Sequence, residues 1–114
     1  MTDYKDIFAR KMSTIFPNLE VREQAKRELI RYGKEKPERE SYRIYIAILK
    51  VAGPSLEDIR QWVNIAKQDY RDVLASAEYP NQINQKVWEL SEDEQQKIEN
   101  IDTEQYRKWI EEEK

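Results

Sequence analysis

Two sets of side chains in this chain have types and spacings that suit chemistry. The first is Trp62, Ile65, Asp69, Asp72 and Ser76, recurring at steps of three and four, with Arg71 between the aspartates and Tyr79 beyond them. At helical spacing these residues fall along one line. An aromatic, an aliphatic and two carboxylates in a row make a surface for a protein partner. Its candidate contacts are Trp62, Ile65, Asp69, Arg71, Asp72 and Tyr79. Asp69 and Asp72 also stand close enough to share Mg²⁺ or Ca²⁺ if a neighbouring element added oxygens. No calcium-loop pattern and no Glu-x-x-His pair accompanies them, so no metal is expected. The plainer role ranks first: both aspartates pair with arginines of the second and third helices and fix helix register.

The second set is basic. Arg22, Lys26, Arg27 and Arg31 bias one surface of a helix toward positive charge, with Lys34, Arg39 and Arg43 extending it. Such a stripe contacts phosphates, and Tyr32 and Tyr42 are placed to stack bases. Against this, Glu23, Glu28, Glu35, Glu38 and Glu40 are interleaved with it, and the whole chain carries a formal charge of −3. A nucleic-acid module is more often strongly basic. A solvated face is the leading reading of this stripe, and nucleic-acid contact the alternative.

Composition removes whole classes of function. There is no cysteine and no histidine, which excludes disulfides, Cys/His zinc sites, thiol chemistry and Ser-His or Cys-His nucleophile pairs. With only two glycines, Gly33 and Gly53, no Gly-rich phosphate loop exists. No enzyme activity and no cofactor is therefore expected. No run approaches the roughly 20 apolar residues of a membrane span, and MTDYKDIF has no signal-peptide core, so a cytoplasmic protein that does not enter membranes is expected.

Apolar residues make up 39% of the chain and charged residues 38%. Thin apolar stripes with broad solvated faces predict an all-α protein: a small bundle of four main helices, about 3–15, 18–32, 37–52 and 56–78. The first carries Tyr4, Phe8, Met12 and Ile15. The second, capped by Asn18, carries Val21, Ala25, Leu29 and Tyr32, with Gly33 in the left-handed position after it. Pro37 suits the first turn of the third. SYRIYIAILKVA, residues 41–52, is apolar on two sides and predicts the central helix. Gly53-Pro54-Ser55 ends it and caps the fourth, which Tyr79-Pro80 closes.

Residues 1–80 form the predicted bundle domain and 81–114 a partly helical, acidic C-terminal extension or arm. The first part holds 15 Lys/Arg against 13 Asp/Glu, the second 5 against 10. Ile83, Val87, Trp88 and Leu90 could strap across the bundle. Ser91 to Glu94 is a capping box that starts a further helix, and Asp102-Thr103 offers a second cap. Tyr106, Trp109 and Ile110 add a small apolar patch, so residues 83–110 are a candidate for self-association or for a protein partner.

AKQDYRDVLASAEYP, residues 66–80, with Ala47 to Lys50 before it, resembles a signature of short uncharacterised bacterial proteins, A-K-x-D-Y-R-D-V-L-x-x-A-E-Y-P. The resemblance covers about 35 of the 114 residues. It implies a small helical domain and carries over no activity, cofactor or catalytic residue. The reading that results is a protein-interaction or regulatory module without catalysis, with nucleic-acid association through the second helix as the alternative.

Overall fold

A computed structural model of the protein describes residues 3–34, 41–84 and 87–112. The expectations placed on Pro37, Glu38, Arg39 and Glu40, and on the side chains of Ile83 and Val87, lie outside the described residues. All regular structure among the described residues is helical. In order these are α1 (Tyr4–Ile15), α2 (Leu19–Leu29), α3 (Ser41–Ala52), α4 (Leu56–Gln68), α5 (Tyr70–Glu78), α6 (Pro80–Asn84), a single 3-10 turn at Val87–Glu89, and α7 (Glu92–Glu111).

The helix at 41–52 is central because it has no polar side to give to water. Ile44 through Leu49 are six consecutive buried residues, and Ala52 joins them. Such a helix needs cover on several sides, and α1, α4 and α5 all pack against it. α2 sits outside, on α4. Phe8 of α1 meets Tyr42 and Tyr45 with ring centroids 5.6 and 5.4 Å apart, and Tyr45 meets Tyr32 edge-on.

Local chemistry sets the helix ends. Asp3, Asn18, Ser55 and Ser91 each accept from a backbone N–H in the first turn of the helix they open. α1 stops where Arg22 Nε donates to the Phe16 carbonyl at 2.8 Å, across Pro17. α2 ends at Leu29 rather than near residue 32. Its continuation tightens into a turn, with Arg31 and Tyr32 bonding three residues back. The exposed carbonyls of that turn are taken by other helices. Tyr45 Oη donates to the Tyr32 carbonyl at 2.6 Å and Lys67 Nζ to that of Arg31 at 3.0 Å. Gly33 then adopts φ 99°, and a Cβ there would stand 2.5 Å from Ser41 Oγ. The positive φ is what favours glycine here; the close approach adds only a demand that the Ser41 hydroxyl turn aside.

Residues 56–78 do not form one helix. The chain breaks at Asp69, which adopts φ −158°, ψ 104° and serves as the end of α4 and the cap of α5. Apolar residues at steps of three and four run through the break, so periodicity alone reads straight across it. The competing force is the aspartate itself, whose carboxylate accepts from the Arg71 N–H at 3.0 Å. A short carboxylate gains more as a cap than inside a helix.

The C-terminal segment packs on the rest. α7 lies on α5 and α6, burying Ile98 and Asp102. Its far end is held by α1: Arg10 donates to the Ile110 carbonyl at 2.8 Å and Lys11 to that of Glu112 at 2.9 Å. Two cations thereby satisfy carbonyls that a helix C-terminus leaves open. Lys11 Nζ also stands 4.3 Å from the Trp109 ring centroid. Among the described residues, no helix is long and apolar enough to cross a membrane.

Candidate functional site

The break at Asp69 divides the line from Trp62 to Tyr79. Trp62 and Ile65 are partly buried and pack against the core, so they serve the fold. Asp69 is taken up by its own neighbour: Arg71 Nε and a terminal guanidinium nitrogen reach its two oxygens at 3.0 and 2.9 Å. That hydrogen bonding holds the Asp69 carboxyl below its ordinary range. The expected arginines of the second and third helices are not its partners. Asp72 stays exposed one turn on, and no cluster of three or more potential metal ligands occurs among the described residues. Tyr79 has a different setting.

The basic set is divided in a similar way. Arg22 is committed to the carbonyls of Phe16 and Pro17. Arg31 reaches Asn64 Oδ1 at 2.9 Å and the Arg60 carbonyl at 3.3 Å, tying α2 to α4. Glu28 pairs with Arg60 at 2.7 Å in the same seam. Lys26 and Arg27 are left on the exposed surface.

Tyr79 belongs to a groove that the sequence does not announce. The N-terminal half of α1, the end of α5 and the second half of α7 enclose a volume of about 640 Å³, within the ordinary range of ligand pockets. Tyr4, Ile7, Tyr79, Tyr106 and Ile110 supply its walls. Asp3, Asp6, Glu78 and Glu111 line it too, against the single cation Arg107 among the described lining residues.

Each wall has a structural reason. Glu78 is held by Arg43 of α3 in a two-pronged pair at 2.7 and 2.9 Å, which fixes the end of α5. Tyr106 stacks on Trp109 with centroids 6.0 Å apart. Its hydroxyl is buried and has no hydrogen-bond partner among the described residues. Burial, then the nearby Glu78 carboxylate, holds the Tyr106 phenol far above the ordinary range, and the same two causes raise Tyr79. Arg107 is bracketed by Glu104 and by Glu111, the latter at 2.9 Å.

The groove depends on α7 being in place, and a buried carboxylate puts it there. Asp102, 1% exposed, accepts from the Asn81 N–H at 3.0 Å, the Asn81 side-chain amide at 2.8 Å and the Gln82 N–H at 3.1 Å. These backbone donors are the open first-turn amides of α6. Asp102 therefore caps α6 from across the fold, not a new helix at 102–103. α7 runs through that point unbroken. Sequence reasoning missed Asp102, Tyr4, Asp6 and Tyr106 as parts of one site. A signal for the first was present: Asp102 stands four residues after Ile98 and four before Tyr106, on the inward face of its helix.

Comparison with protein-family models, with curated proteins and with solved structures finds no match to this chain. Its function is read from the geometry.

Proposed function

We propose that the protein is a small, non-catalytic protein-interaction module of the cytoplasm and that the α1/α5/α7 groove is its docking surface. The observation that carries this reading is the groove itself: aromatic and aliphatic walls around about 640 Å³. Tyrosine is enriched at binding surfaces because it offers area and a polar tip at low entropic cost. The resemblance to short bacterial proteins through residues 66–80 is compatible with this role, and Tyr79 lies within that segment.

A photo-crosslinking amino acid at position 79, in cells, is expected to give a discrete heavier adduct. The same group at position 72 on the exposed face of α5 should give none. An adduct from 72 and none from 79 would move the docking surface away from the groove.

Two other surfaces support second readings. Trp88 is 70% exposed and Ile101 49%, both within 83–110, where self-association is the second reading. A smaller cleft of about 310 Å³ has Phe8 and Met12 in its lining with Lys5, Lys26 and Tyr42 beside them. Free cations next to an aromatic ring favour the nucleic-acid alternative.

A further inference from the structure

Resting on the docking reading above, we propose that the α1/α5/α7 groove takes an arginine- or lysine-bearing segment of a partner protein, with the cationic head among Tyr4, Tyr79 and Tyr106. The charges decide the sign of the ligand. Glu78 is offset by Arg43, and Arg107 by Glu104 and Glu111. Asp3 is occupied in part as the cap of α1. Asp6 is the lining carboxylate that makes no ion pair and no side-chain hydrogen bond among the described residues.

With those pairs cancelled, the groove keeps the carboxylates of Asp3 and Asp6 and the aromatic side chains of Tyr4 and Tyr79, while Tyr106 is stacked on Trp109 behind them. Ring faces are negative, so the aromatic lining and the carboxylates attract the same partner. The Tyr79 and Tyr106 phenols stay neutral through the physiological range because both are raised, not lowered. Ile7 and Ile110 give the neighbouring apolar side chain of a peptide something to lie on. A phosphorylated or acidic segment would meet like charge in the same place.

The test uses the full chain, labelled with ¹⁵N, at low ionic strength. The probe is the peptide Ac-Gly-Arg-Leu-Arg-Gly-NH₂, compared with its counterpart in which citrulline, uncharged and of the same shape, replaces both arginines. The arginine peptide should shift the amides of Ile7, Tyr79 and Thr103, and the citrulline peptide should bind about tenfold more weakly. Asp6→Lys should remove the shifts. Asp93→Lys, the same change of net charge at the start of α7, should leave affinity within about twofold. Both variants are checked for unchanged melting. Equal binding of the two peptides would overturn the inference and leave the docking reading standing. Equal weakening by Asp6→Lys and Asp93→Lys would also overturn it. If neither peptide shifts the groove the inference falls, and crosslinking from position 79 decides the docking reading separately.

Discussion

Asp102→Ala should destabilise the protein by about 3 kcal/mol, more than any other change to a charged side chain. The carboxylate is buried and accepts three hydrogen bonds, two of them from the backbone of α6. Removing it leaves the Asn81 and Gln82 N–H groups facing a hole instead of an acceptor. It also strips Lys50 of its nearby negative charge. Burial pulls the Lys50 amine below its ordinary range, and Asp102 is the charge that opposes this. Asp102→Asn should be milder, because one oxygen remains and only one donor meets an amide nitrogen. Urea unfolding measures both. A loss below about 0.5 kcal/mol for the alanine variant would mean that water replaces the carboxylate without cost.

Ile48→Ala is expected to cost about 3 to 4 kcal/mol, and Ile48→Val about 1 kcal/mol. Ile48 is fully buried in the middle of α3, which α1, α4 and α5 enclose. A residue held from several sides cannot be compensated by one neighbour moving in, so the cavity persists. The urea midpoint should fall with its slope unchanged, since the surface exposed on unfolding stays the same. A cost near that of Ile48→Val would show that the core collapses around the gap and that α3 is not rigidly enclosed.

The all-helical class and the central helix were legible because they rest on composition and on long periodic stripes. Ser55 and the Ser91 capping box were legible because a cap is a local event, decided within three residues. The break at Asp69 was not, since the apolar period runs on unbroken past it. Only the competition between a helical aspartate and a capping one decides the point, and its margin is small. The candidate face from Trp62 to Tyr79 depended on that continuity. With the helix divided, its members went to the core, to a local ion pair and to the groove.

The groove itself was illegible for another reason. Tyr4, Tyr79 and Tyr106 come from three distant parts of the chain, and no spacing relates them. They meet because Asp102 docks α7 on α6 while Arg10 and Lys11 hold its other end. The sequence after Pro80 reads only as a partly helical, acidic extension or arm. Ile98, Tyr106 and Trp109 pack that segment down, and polar contacts from Asp102, Arg10 and Lys11 add fasteners that hydrophobic periodicity does not register.

The groove keeps its third wall only if α7 belongs to the same cooperative unit as α3. Native-state hydrogen exchange measures this directly. The amides of α7 from Ile98 to Tyr106 should exchange only through global unfolding, with the same opening free energy as those of Ile46 to Leu49. Opening of α7 at a free energy several kcal/mol below the global value would contradict the account.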